Sequence, residues 1–187
     1  MTPSASNLSG DHRVQQDRWN VKKTAYLGLC LALALICSYV EALIPFPIGI
    51  PGVKLGLTNV VVVEILYLSG WKDAALVSFS RVLLAGFFFG NLYSILYSLA
   101  GALLSLIVMI AVKKTEKLHL ISVSAAGGIT HNTGQFLVAA LVVENYQILY
   151  YLPVLFLVGM TTGVLIGVAA TEVLKRLPPA LWYLTEK

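Results

Sequence analysis

Three polar side chains stand close together within one long apolar run of this 187-residue sequence. His131 and Gln135 are four positions apart, and Asn132 and Gln135 are three apart, so a helix would carry all three in one polar stripe. Such a stripe cannot face lipid, so it either hydrogen-bonds to neighbouring helices or forms the wall of a ligand pocket. We favour the pocket wall, because three polar groups on one turn exceed what helix packing usually needs.

Two opposite charges also fall inside apolar runs, Glu64 and Arg81. A charge at the centre of a bilayer costs about 2.5–3.5 kcal/mol on insertion scales, so each needs a partner or a cavity. The runs that hold them flank the polar loop from Gly70 to Asp73, which would bring both charges to a similar depth in a helical hairpin. The sequence therefore predicts an ion pair, which either fixes helix packing or contacts a substrate.

Composition indicates the environment of these groups. Hydrophobic residues make up 58% of the chain and charged residues 12%, whereas soluble chains carry about 25% charged residues. Because the apolar runs approach the roughly 20 residues that cross a bilayer, we predict an all-α polytopic membrane protein with six transmembrane helices. The predicted spans are Tyr26 to Ile44, Leu55 to Ser69, Ala74 to Gly90, Tyr93 to Val112, Val123 to Val143 and Leu149 to Leu174.

Polar segments divide the chain into one transmembrane domain, residues 22–177, between a flexible polar tail of residues 1–21 and a short tail of residues 178–187. Six spans place both termini on one side of the membrane. That side would hold eleven of the thirteen basic residues: Arg13, Arg18, Lys22, Lys23, Lys72, Lys113, Lys114, Lys117, Lys175, Arg176 and Lys187. The positive-inside rule then makes both termini cytoplasmic.

Small residues recur every four positions in two of the predicted helices. They are Thr24, Gly28 and Ala32 in the first helix, and Gly159, Gly163 and Gly167 in the sixth. Such stripes let helices approach closely, so internal packing is the first interpretation of both. A protein partner is the alternative, and it suits the first helix better because that stripe would lie at the cytoplasmic end.

The segment from Pro45 to Lys54 is rich in proline and glycine, so it cannot form a regular helix and suits a lid on the predicted outer face. Asn59 follows it near the outer end of the second predicted helix, and we assign Asn59 to the same pocket as the stripe at His131. A metal site is not expected, because His131 has no second histidine or nearby carboxylate at ligand spacing. No cofactor is expected either.

Four segments together resemble one bacterial family: PGVKLGLTN from Pro51, SLAGALLSLIVM from Ser98, SVSAAGGITHNTGQ from Ser122 and YLPVLFLVGMTTGVLIG from Tyr151. Their order and spacing look like the family labelled heptaprenyl diphosphate synthase component I, also called the Gx transporter family. That family is similar to the substrate-binding S components of energy-coupling factor (ECF) transporters, which are six-helix proteins of the bacterial cell membrane.

The resemblance implies a binder that captures a small vitamin-like or ring-containing molecule outside the cell and docks on a coupling protein with two ATPases. It implies docking through Thr24, Gly28 and Ala32, with binding residues among Asn59, Glu64, Arg81, His131, Asn132 and Gln135. The alternative is a non-catalytic membrane subunit or anchor in isoprenoid, quinone or redox metabolism.

The enzymatic label is not supported by the residues that prenyl transfer requires. That chemistry needs carboxylates to hold Mg²⁺ against diphosphate, and the three aspartates, Asp11, Asp17 and Asp73, are not clustered. The chain also lacks a GxxxxGK[ST] loop, so it cannot supply the ATPase. We therefore expect no enzymatic activity.

The predicted topology is testable by cysteine accessibility in intact cells. Cysteines placed at Lys54 and Gln147 are expected to react with a membrane-impermeant thiol reagent from outside, because both lie in predicted outer loops. A cysteine at Lys114 is expected to react only after the membrane is opened. Labelling at position 114 from outside would overturn the six-span topology.

Overall fold

The computed structural model describes residues 5–43, 56–144 and 146–177, and all regular structure in them is helical. Six α-helices follow one another, with a short 3₁₀ helix, Tyr146–Tyr151, before the last. The α-helices are α1 (Ala5–Leu43), α2 (Leu57–Leu68), α3 (Trp71–Phe89), α4 (Leu92–Lys114), α5 (Leu120–Val143) and α6 (Leu152–Arg176). The predicted all-α class is thereby confirmed.

Three stretches within the described residues have the length and apolar character to cross a membrane: Val21–Leu43, Leu92–Lys114 and Leu149–Arg176. Large apolar side chains lie on the outside of the bundle, as in Phe87, which is 78% exposed, and Leu29, which is 70% exposed. Such a surface is stable in lipid rather than in water. The molecule is a helical membrane bundle, and the number of its crossings stays a prediction.

Helix α2 is much shorter than a span. Its 12 residues rise about 18 Å, against about 30 Å of hydrocarbon. A Cβ atom on Gly56, just before α2, would lie 3.2 Å from Ile166 of α6. Ile166 is in the second half of α6, so α2 begins well inside the bundle.

Helix α1 begins at Ala5, inside the segment predicted to be a flexible polar tail. Residues 5–20 are polar, but they contain no proline and a single glycine, Gly10, so nothing in them stops the helix. The predicted lid, Pro45 to Lys54, and the predicted tail of residues 178–187 lie outside the described residues.

Helix α5 lies between α4 and α6, and glycines bring the three backbones together. A Cβ atom on Gly163 of α6 would lie 2.7 Å from the Cα atom of Ala125 in α5, and one on Gly134 of α5 would lie 2.9 Å from the backbone oxygen of Ala100 in α4. Gly159 and Gly167 contact the α5 backbone in the same way. The α6 stripe is therefore internal packing, as predicted.

Two serines add hydrogen bonds across these interfaces. Ser105 Oγ of α4 donates to the carbonyl oxygen of Gly127 at 2.9 Å, and Ser124 Oγ of α5 donates to that of Gly163 at 2.7 Å. Both serines are buried. Their hydroxyls are thus satisfied where neither lipid nor bulk water would do so.

Basic residues hold α2 and α3 at the end of the bundle where these two helices meet. Lys113 of α4 donates from Nζ to the carbonyl oxygen of Leu66 at 2.6 Å, and its charge lies 4.5 Å from the Tyr67 ring centroid. A cation in this position interacts favourably with the negative end of the α2 dipole. Lys23 of α1 forms an ion pair with Asp73 of α3 at 2.6 Å.

The glycine contacts predict opposite results for two similar substitutions. Gly163→Ala is expected to destabilise the bundle by about 1–3 kcal/mol, because the new methyl group would overlap backbone atoms that cannot move aside. Gly28→Ala is the matched control, since a Cβ on Gly28 meets nothing within 4 Å. Thermal unfolding in detergent measures both, and an equal midpoint for the two variants would contradict the packing described for α6.

Candidate functional site

The polar stripe of α5 is enclosed by the bundle. His131, Asn132 and Gln135 are all buried, with Gln135 only 3% exposed. The Nε2 atoms of His131 and Gln135 lie 3.1 Å apart, so the Gln135 amide donates when the histidine nitrogen is unprotonated. Gly101 of α4 lies directly against this group, because a Cβ there would be 2.5 Å from Gln135 Cγ.

Two atoms of this stripe lack partners where they are buried. The amide nitrogen of Asn132 and the amide oxygen of Gln135 have no hydrogen bond within the described part of the chain. A buried amide group without a partner costs about 1–3 kcal/mol judged from protein mutations. The stripe therefore has hydrogen-bonding capacity beyond what packing uses.

A separate cavity of about 70 Å³ lies at the end of the bundle where α3 leads into α4. The last turns of α1 and α3 and the first turns of α4 enclose it, and Arg81 is on its wall. Its other polar lining residues are Ser38, Glu41, Ser94 and Ser98. Arg81 is 8% exposed, and its Nε atom has no hydrogen-bond partner among the residues described.

Glu41 connects this cavity to the start of α2. Its Oε1 atom accepts the backbone N–H of Leu57 at 2.7 Å, and its Oε2 atom accepts the hydroxyl of Thr58 at 3.3 Å. Gly56, which precedes α2, has a φ of 73° and offers no side chain to cap the helix. Glu41 of α1 therefore performs the capping, and its negative charge suits the positive end of the α2 dipole.

The predicted ion pair between Glu64 and Arg81 is wrong. Glu64 is buried on the side of α2 that faces α1, where it interacts electrostatically with Tyr26 and Cys30. The charged neighbour of Arg81 is Glu41. The hairpin sets the depth of the two charges but not the direction in which each points from its helix, and α1 lies beside both α2 and α3.

Asn59 lies in the first turn of α2 and is half-buried, with its side-chain nitrogen beside Gly56. Glu41 is the functional candidate that the sequence interpretation missed. The signal was present, because Glu41 falls inside the predicted span from Tyr26 to Ile44, where a carboxylate is as costly as Glu64. Within the described residues, no three histidine, cysteine, aspartate or glutamate side chains are grouped so as to hold a metal ion.

These features define a helical membrane protein with polar groups enclosed between its helices. The family model described as heptaprenyl diphosphate synthase component I matches residues 30–173. The chain belongs to this family, which confirms the resemblance stated from its sequence motifs. No curated protein and no solved structure matches the chain.

The contacts predict which charged and polar pairs are energetically coupled. Glu64→Gln and Arg81→Met are expected to add within about 0.5 kcal/mol, because the two side chains share no contact. Glu41→Gln and Thr58→Val are the matched pair in direct contact, and a coupling of about 0.5–3 kcal/mol is expected for them. Thermal-stability cycles in detergent measure both, and coupling above about 1 kcal/mol between Glu64 and Arg81 would contradict the structure.

Proposed function

We propose that this chain is the substrate-binding S component of an ECF-type uptake transporter. In this role it captures a small vitamin-like or ring-containing molecule on the outer side of the cell membrane. It performs no chemistry itself, and a coupling protein with two ATPases supplies the energy. Family membership supports the coarser statement that the chain is a membrane component of this family.

The observation that carries the proposal is the exposed stripe of small residues on α1. Thr24, Gly28 and Ala32 are all exposed, and the space beside Gly28 is open to a distance of 4 Å. The corresponding stripe on α6 packs against α5. A four-residue repeat of small side chains on an open helix face lets another transmembrane helix approach closely, which is what docking on a coupling protein requires.

The α5 stripe supports the capture step. A binder must keep hydrogen-bonding groups available to its ligand, and Asn132 and Gln135 each retain a buried atom without a partner among the residues described. We assign the substrate to these residues with His131, and we include Asn59 at the start of α2 in the same proposed site. The distribution of lysine and arginine directs the end of the bundle at Asn91 outward, which puts the Arg81 cavity on the side from which a substrate arrives.

The family description favours a second candidate function, a non-catalytic membrane subunit of a prenyl diphosphate synthase system. The two proposals differ in their partners. An S component copurifies with a coupling membrane protein and ATPases, whereas a synthase subunit copurifies with a soluble prenyl transferase or with redox proteins.

Purification from native membranes, followed by identification of the bound proteins, tests the proposal. The wild-type chain is expected to retain the coupling protein and ATPases, and Gly28→Leu is expected to lose them because leucine fills the open space on α1. Ala169→Leu is the matched control, since Ala169 is a small exposed residue on α6.

Retention of the ATPases by Gly28→Leu would remove the docking role of the stripe. Recovery of a prenyl transferase in place of ATPases, from wild-type membranes, would favour the second function.

A further inference from the structure

Arg81 is a buried cation whose hydrogen bonding is incomplete. Its side chain is 8% exposed and lines the cavity between α1, α3 and α4, and Nε has no partner among the residues described. A guanidinium in such a place is stable only when an anion or several hydrogen-bond acceptors reach it. Some group must therefore compensate the positive charge of Arg81.

The carboxylates of the described residues are directed elsewhere. Asp73 pairs with Lys23, and Glu172 pairs with Arg176. Glu41 is a charged neighbour of Arg81, but both of its oxygens already accept hydrogen bonds from the start of α2, and no ion pair joins the two side chains within the described residues. The negative charge of Glu41 therefore compensates the α2 dipole more directly than it compensates the positive charge of Arg81.

The remaining acidic side chains that the structure describes give Arg81 no partner either. Glu64 faces α1, whereas Glu116 and Glu144 are exposed at the ends of α4 and α5. The segment of residues 44–55 contains neither aspartate nor glutamate, so whatever its course it brings no carboxylate to the cavity. No carboxylate among the described side chains forms an ion pair with Arg81, so its positive charge is available to an anion.

The size and lining of the cavity limit that anion. The cavity of about 70 Å³ has room for more than one water molecule, and therefore for a carboxylate or phosphate group. Ser98, a buried serine on the wall, carries a hydroxyl that can donate to an anionic oxygen, and arginine is the side chain best shaped to bind such groups in two places at once.

We propose that the Arg81 cavity binds the carboxylate or phosphate group of a small anionic molecule. The proposal deepens the proposed function by naming a substrate class, and it rests on that function only for the statement that the anion belongs to the transported molecule.

The test uses the full chain in nanodiscs, with Cys30 and Cys37 changed to alanine and one cysteine introduced as S94C on the cavity wall. Its rates of modification by an anionic sulfonatoethyl and by a cationic trimethylammonioethyl methanethiosulfonate are compared. Y93C is the matched control, because Tyr93 is the neighbouring residue and is 59% exposed. The anionic-to-cationic rate ratio is expected to be about tenfold or more higher at position 94 than at position 93, as focused charge produces.

Arg81 variants show whether this preference belongs to the guanidinium. Arg81→Gln is expected to lower the ratio at position 94 to that at position 93, and Arg81→Lys is expected to preserve most of it. Unchanged labelling at position 93 in both variants establishes that the bundle is still folded. A ratio at position 94 that is equal to the control, or that Arg81→Gln leaves unchanged, would overturn the proposal.

Protection experiments then separate the two anionic groups. Inorganic phosphate or acetate is expected to slow anionic modification at position 94, and the more effective of the two identifies the group that the cavity prefers. Failure of both to protect would also overturn the proposal. If ATPases do not copurify but the labelling behaves as expected, the anion site stands and the transporter assignment falls.

Discussion

Hydrocarbon offers no hydrogen bonds, so the polar stripe of α5 has to be enclosed by other helices. Helices α4 and α6 do this by approaching α5 so closely that only glycines fit at Gly134 and Gly163. The close approach also lets Ser105 and Ser124 reach backbone carbonyls on the neighbouring helix. The same contacts that stabilise the bundle thereby keep His131, Asn132 and Gln135 away from lipid.

The small-residue face of α6 packs against α5, whereas the small-residue face of α1 stays exposed. Helix α1 contacts α2 and α3 through other positions, including Cys30, Ala34 and Glu41, so Thr24, Gly28 and Ala32 remain on the outside. Two stripes with the same spacing thus have different surroundings. The open one is available to a second protein, and this difference is the basis of the docking role proposed above.

The 12 residues of helix α2 rise about 18 Å, which is less than the hydrocarbon thickness, and side chains from other helices support both of its ends. Glu41 caps its beginning, and Lys113 donates a hydrogen bond to the carbonyl oxygen of Leu66 at the negative end of its dipole. Because α1 carries both Glu41 and the open stripe, one helix joins the cavity at Arg81 to the surface proposed for docking.

The amino-acid sequence by itself determined the membrane class, the six α-helices, the glycine packing of α6 and the polar stripe of α5, because these follow from composition and from spacing along a single helix. The tertiary structure decided which side chains meet across helices. Glu64 and Arg81 have matching positions in a hairpin, yet α1 lies beside both helices, and Arg81 has Glu41 rather than Glu64 as its charged neighbour. Spacing along the chain gives depth in the membrane, whereas the rotation of each helix depends on packing against all of its neighbours.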